Sequence, residues 1–248
     1  MRLDMLTSDW HRLLKPVLPH ASTDKELPHL RRVRLELGPR ALYAIATDTW
    51  TLAAERYALE PKYRNGDWEP VHIDAAEIKA SLALLKFTKD DDMPVEVLVD
   101  QVPMPLGSGR TVISRAVTVQ RPDDGLKLVM RDRRDPFRPD ALSRWQTGLS
   151  AAFARPRGRS LDGLDLRGWA LARWQHAARG SERLRLWTGP ETGDPLLITV
   201  EDHFAGLIST APMLDDPSQD RSSLPWAAEL LPPGIGDGGE LLPESGSS

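Results

Sequence analysis

The chain has 248 residues, 40% of them hydrophobic and 27% charged, which supplies a packed core for two domains of ordinary size and excludes wholesale disorder. It contains no cysteine, which excludes disulfide frameworks, thiol nucleophiles, cysteine-ligated zinc and iron–sulfur clusters, and fits a reducing cytoplasm. The net charge of −4 argues weakly against nucleic-acid binding, no apolar run nears the roughly 20 residues that cross a bilayer, and residues 1–10 lack the apolar stretch of a secretory signal.

In chain order, the first helix is expected from about residue 8 to residue 18. Trp10, Leu13, Leu14, Val17 and Leu18 form one stripe, and His11, Arg12 and Lys15 fall on the other side. Thr7 or Ser8 can cap this helix, and Pro16 should disturb its last turn by removing a backbone donor. Residues 32–37 (Arg-Val-Arg-Leu-Glu-Leu) alternate strictly and predict a strand, with Gly38-Pro39 as the turn after it. Residues 41–46 and 51–59 read as two more strands, broken at Thr47-Asp48-Thr49-Trp50.

A second helix is expected to start at Asp74, where Asp74 and Glu77 have capping-box spacing. Ile78, Leu82 and Leu85 form its apolar stripe, while Lys79 and Lys86, seven apart, share a face. Lys89-Asp90-Asp91-Asp92 ends it in a charged loop, and residues 95–99 and 111–119 read as strands. The second half repeats this order in shorter form. Helices are expected over 140–153, with Leu142, Trp145, Leu149 and Phe153 inward, and over 166–179, with Leu166, Ala170, Trp174 and Ala177 inward. Arg173, His176 and Arg179 fall opposite the second of these stripes, and strands follow at 183–187, 196–200 and 204–209. From Leu214 to Ser248 the composition turns to Pro, Gly, Ser and Asp, with seven acids and one base, so this stretch reads as a disordered acidic tail and leaves a body near +2. The plan predicts an α+β fold with antiparallel sheets, because its strands are joined by short turns.

Catalytic sets are scarce. None of the six histidines has zinc-site spacing, and no Gly-x-Ser-x-Gly elbow occurs. Gly107-Ser108-Gly109-Arg110-Thr111 lacks the ending of a phosphate loop and precedes a strand, which makes it a turn. Asp90-Asp91-Asp92 reads as a solvated loop and Glu201-Asp202-His203 as a strand junction. The chain is therefore expected not to be an enzyme and to need no cofactor or metal. Each expected helix carries bases away from its apolar stripe: Arg12 and Lys15; Lys79 and Lys86; Arg144; Arg173 and Arg179. If all four line one surface, that surface is basic and can meet phosphates without reading bases.

The order of these segments resembles the bacterial replicative DNA sliding clamp, the beta subunit of DNA polymerase III. His11-Arg12-Leu13-Leu14, Pro19-His20-Ala21, residues 30–36 and residues 42–53 follow the order of that family's middle domain. The family's Ala-Thr-Asp-x-x-Arg-Leu-Ala segment is matched at Ala46-Thr47-Asp48 and Leu52-Ala53, with Thr51 in place of the arginine. Val71-His72-Ile73-Asp74 leading into the second helix, then residues 95–99, continue the match. Residues 149–155, 164–166 with the helix after them, 183–186, 194–198 and Gly206 to Met213 resemble the family's last domain and its Met-Pro ending.

The resemblance implies a DNA-clamp fold of two tandem domains, each with two helices packed on antiparallel sheets, over residues 1–130 and 131–213, the second shortened. The tail would cover 214–248, and no counterpart of the family's first domain is present. It implies duplex DNA bound non-specifically by Arg12, Lys15, Lys79, Lys86, Arg173 and Arg179. It also implies a pocket for a short peptide of a polymerase or other clamp-binding protein, built from Thr47, Thr49, Trp50, Leu52, Pro139, Pro212 and Met213. A homo-oligomer would be needed to close a ring, and no membrane partner is implied. The alternative is a clamp-derived adaptor or decoy that binds such peptides without encircling DNA, favoured by Thr51, the short second domain and the acidic tail.

Overall fold

Leu3 and Met5 alternate with Arg2 and Asp4, and the five residues form strand β1 (Arg2–Leu6). The sequence pattern does not announce this strand, because two apolar positions are too short a period to register. The computed structural model describes residues 2–63, 69–88, 92–105, 111–133, 140, 142–156, 171–191 and 193–209. Helix α1 (Thr7–Leu14) stops short of the expected end: Pro16 has no N–H to continue it, and the chain passes through a turn into a 3-10 turn at Leu18–His20. Its capping also differs from expectation. The Thr7 hydroxyl donates to the Met93 carbonyl at 2.8 Å, and the Ser8 N–H is taken by the Asp92 carboxylate at 2.9 Å. Asp92 thus serves as a helix-end anion.

Strands β2 (Arg32–Leu37), β3 (Ala41–Thr47) and β4 (Thr51–Ala58) form where the alternation and turn signals place them. β5 (Val71–Asp74) leads into α2 (Ala75–Leu84), whose first turn is capped by the Asp74 carboxylate accepting from Ala76 N–H at 2.8 Å. Glu77 does not complete a capping box. It accepts instead from Arg131 N–H at 3.1 Å and from the Arg133 guanidinium at 2.8 Å. Lys86 lies beyond the helix end, past the C-cap Leu85, so it does not share a helical face with Lys79. β6 (Pro94–Pro105), β7 (Thr111–Arg121) and β8 (Leu126–Arg131) follow.

In the second half, α3 (Trp145–Ala154) is shorter than expected, and a 3-10 turn occupies Arg173–His176. Residues 166–170 of the expected helix lie outside the described residues. β9 (Leu184–Trp187), β10 (Leu196–Val200) and β11 (Phe204–Ile208) close the described chain.

All strand pairs are antiparallel. One four-stranded sheet has the order β1-β6-β7-β8, and a seven-stranded sheet has the order β5-β2-β3-β4-β11-β10-β9. An Ile73–Asp132 bridge ties the two. The β4–β11 ladder, from Thr51↔Ile208 to Glu55↔Phe204, makes the larger sheet continuous between the two halves of the sequence, and Met1–Ala211 forms one compact unit.

The seven-stranded sheet is apolar on both faces, which explains the nearly unbroken apolar run of β3. Leu42, Ala44, Ala46, Ala53, Leu196, Ile198, Val200, Phe204 and Ile208 face the main core with α1, α2, Trp174 and Ala177. Tyr43, Ile45, Leu52, Ala54, Leu197, Ala205 and Leu207 face a second cluster, covered by Leu142, Trp145 and Leu149. Thus α1, α2 and the 171–178 segment share one side, and α3 lies on the other. The four expected helices do not line one surface. Phe153, expected inward, is 58% exposed at the end of α3.

Candidate functional site

Four of the expected pocket residues come together on one hairpin. The β3–β4 turn is built by its polar side chains. The Thr47 hydroxyl donates to the Thr51 carbonyl at 2.7 Å and accepts from Thr49 N–H at 3.3 Å. The Asp48 carboxylate accepts from Trp50 N–H at 3.1 Å, Thr51 N–H at 2.8 Å and the Thr51 hydroxyl at 2.9 Å. Thr49 takes the left-handed region at φ +82°, a conformation that β-branched residues adopt only when neighbours fix it. Trp50 stands 47% exposed, and its carbonyl accepts from Ser209 N–H at 2.7 Å, where β11 ends. Leu52 is half-buried against the outer cluster, opposite Leu207 across the ladder. Pro139, Pro212 and Met213 lie outside the described residues.

Arg173 reaches this hairpin from the other half of the sequence. It ion-pairs with Asp48 and donates to the Thr51 hydroxyl at 3.2 Å. Burial pushes the Asp48 carboxyl up, but the Thr51 N–H and hydroxyl and the Arg173 guanidinium outweigh it and hold the group below the usual range.

The bases on the α1–α2 side fall into two classes. Arg12, Lys15, Lys79 and Lys86 are exposed. Arg12 makes only a loose pair with Asp9, at 3.4 Å. The His11 imidazole donates to the Leu85 carbonyl at 2.6 Å and meets the Phe87 ring edge-on at 5.0 Å, which brings the Lys86 end of α2 against α1. Burial and then the Lys15 charge push both His11 and His176 down. Arg173 and Arg179, in contrast, are turned inward. Arg179 pairs with Glu55 at 2.5 Å and donates to the Arg12 carbonyl at 3.1 Å. Helical spacing predicts that both face away from the apolar stripe, but the internal carboxylates Asp48 and Glu55 draw them in.

Glu55 anchors a second cluster, which sequence reasoning does not find. Its side chain is 2% exposed, and it is held by Arg179 and by His203 Nδ1 at 3.0 Å; His203 Nε2 in turn lies 3.2 Å from Glu182. The hydrogen bond to Glu55 raises the His203 imidazole above its ordinary range despite partial burial, and burial raises the Glu55 carboxyl. An acid directly after the apolar run Leu52–Ala54 in β4 is the signal that points to it. Among the described residues no group of three or more His, Cys, Asp or Glu side chains is arranged to hold a metal ion.

On the outer face, α3 and the β9–β11 end of the sheet enclose a groove of about 860 Å³, floored by Tyr43, Ala54, Leu197 and Ala205 and walled by Trp145 and Phe153. It does not include the 47–52 hairpin.

No family model matches the sequence, and no curated relative does. Solved structures do. The DNA polymerase III beta subunit of Thermotoga maritima superposes with a TM-score of 0.56 at 13% identity, over 85% of this chain and 65% of that one. The DNA polymerase sliding clamp of Bacillus subtilis does so with a TM-score of 0.58 at 12% identity, over 85% and 64%. A Pseudomonas aeruginosa sliding clamp bound to griselimycin gives 0.57 at 12%, over 85% and 65%. The chain therefore spans slightly under two thirds of the length of these proteins. It has their fold, α+β with antiparallel sheets.

Proposed function

We propose that this chain is a sliding-clamp-like accessory protein of DNA replication, not an enzyme, that lies against duplex DNA and holds polymerase or other partners through a short peptide. The observation that carries the reading is the placement of α1, α2 and the 171–178 segment on one side of the continuous seven-stranded sheet, with the Thr47–Leu52 hairpin beside the β4–β11 ladder. Exposed Arg12, Lys15, Lys79 and Lys86 meet phosphates by charge alone, so binding is sequence-independent and falls steeply with salt. Trp50 and Leu52 offer a large exposed ring and an apolar neighbour, which suits one or two bulky side chains of an extended peptide. Griselimycin, seen on the Pseudomonas aeruginosa clamp, is the probe for that hairpin. In this reading residues 1–130 and 131–213 are the two clamp-like domains, several copies assemble to surround DNA, and the protein works in the cytoplasm. No described helix is long and apolar enough to cross a membrane.

The second reading is an adaptor or decoy that takes the peptide and leaves DNA alone. One observation favours it: Arg173 and Arg179 are committed to Asp48 and Glu55, which removes two charges from the DNA-facing set. Light scattering on the eluting full chain, with anisotropy on a labelled duplex at several salt concentrations, separates the two. An oligomer whose DNA affinity falls with salt supports the clamp. A monomer that binds griselimycin but no duplex supports the adaptor. Failure to bind either overturns both.

A further inference from the structure

Asp48 is buried to 8% side-chain exposure and keeps its charge, although every donor its own hairpin supplies is neutral. A buried carboxylate in that position needs a counter-charge. Arg173 provides it, from a segment that packs on the inner face of the sheet. The Thr51 hydroxyl is the shared joint. Its one proton goes to Asp48 at 2.9 Å, so it accepts from Arg173 at 3.2 Å and from His20 Nδ1–H at 3.0 Å. Burial, and then the Arg173 charge, push His20 down to about 3, so the ring is neutral. The ring lies 4.2 Å from Trp174, the neighbour of Arg173. Three distant stretches of chain, at 20, 48–51 and 173–174, thus meet around one hydroxyl, next in sequence to Trp50.

We propose that Arg173 is a positioning residue for the peptide-docking hairpin: by holding Asp48 it sets the backbone from which Trp50 projects. The assignment rests on the reading of Thr47–Leu52 as the docking site. The link is direct, because one of the three donors the hairpin itself supplies to Asp48 is the Trp50 N–H. Without Arg173 the carboxylate turns toward water and releases the Trp50 and Thr51 donors. Trp50 then samples several orientations, and a ligand must first select the competent one. The loss appears mainly in the association rate, which scales with the fraction of chains holding the competent orientation.

The test measures griselimycin binding to the full chain by surface plasmon resonance, with melting curves for every variant. Arg173→Gln is expected to raise Kd roughly tenfold, mostly through kon, and Arg173→Lys to recover part of it, because lysine restores the charge without the planar fork. Val97→Ala, a cavity in the distant four-stranded sheet, lowers stability without touching the hairpin and is expected to leave Kd unchanged. If Arg173→Gln does not fold, Arg173→Lys and Asp48→Asn carry the comparison, and both are expected to raise Kd. No binding by the unaltered chain, or none lost in Trp50→Ala, ends the docking reading and this assignment with it. Weakened binding in Trp50→Ala alongside unchanged binding in the Arg173 variants overturns the role of Arg173 alone. Equal weakening in Val97→Ala and Arg173→Gln marks a global effect and overturns it too.

Discussion

The indole of Trp174 lies directly over Gly206, in the space a Cβ on that residue would need. The same Cβ would stand 2.8 Å from the Leu52 carbonyl oxygen on the paired strand. Trp174 is further enclosed by Phe204, edge-on at 5.6 Å, and by His20 at 4.2 Å. Neither the indole nor a ladder carbonyl can swing away. Gly206→Ala is therefore expected to destabilise by about 1–3 kcal/mol through overpacking at the seam. That lowers Tm by roughly 2–4 °C per kcal/mol in a protein of this size. Thermal unfolding followed by circular dichroism checks it; an unchanged melting curve contradicts the packing of Trp174 on β11.

The two classes of basic residue predict two phenotypes. Lys15→Ala, Lys79→Ala and Lys86→Ala remove exposed charges, so stability is expected to stay within about 0.5 kcal/mol. Each should instead shallow the plot of log Kobs for duplex DNA against log salt, by about 0.9 for each phosphate no longer neutralised. Arg179→Ala strands Glu55, 2% exposed, with only His203 to neutralise it, and is expected to cost about 3 kcal/mol in urea unfolding. Equal stability losses for Lys15→Ala and Arg179→Ala would contradict this division.

How much of the fold and the site is legible in the sequence varies with the range of the interaction. The strict alternation of Arg32–Leu37 and the stripe of Trp10, Leu13 and Leu14 are local; the strand forms where the pattern places it, and the helix starts there but ends at Leu14, before Pro16. The stripe of Leu142, Trp145 and Leu149 is equally legible, but it says only that a helix has an apolar side, not which face of a two-faced sheet receives it. Arg173 and Arg179 read as outward in the sequence because their partners, Asp48 and Glu55, belong to its other half. The segment Thr47–Thr51 reads as a break between strands. Its hydrogen-bonded interior depends on Asp48 being buried, which no local pattern reports.

The outer face offers its own test. Trp145 is 8% exposed, lies 5.1 Å from the Tyr43 ring, and donates from its indole to the Glu36 carboxylate at 2.9 Å. Trp145→Ala removes most of what fastens α3 to the sheet and is expected to cost about 3–5 kcal/mol. Hydrogen exchange should then speed up over Trp145–Ala154 while α1 stays protected. Loss of protection in both helices would mean that the two apolar faces do not act as separate layers.

The histidines give the protein opposite responses on the two sides of neutrality. His20 titrates near 6.5 when unfolded and at about 3 when folded, so below 6.5 the unfolded chain takes up the proton first. Its contribution is intact above 6.5 and is lost as pH falls toward 3, with a ceiling of about 5 kcal/mol for the full shift. His203 has the reverse sign. Its hydrogen bond to Glu55 raises the folded value, so its contribution is complete below its unfolded value and is lost as pH rises through the folded one. Glu55, raised by burial, also loses its contribution as pH climbs, so the pair acts together. Urea unfolding from pH 4 to pH 9 should therefore show His20→Asn losing less stability than the parent on the acid side. His203→Gln should flatten the alkaline side. Parallel pH profiles for the parent and His20→Asn would mean that the imidazole is not held neutral beneath the hairpin.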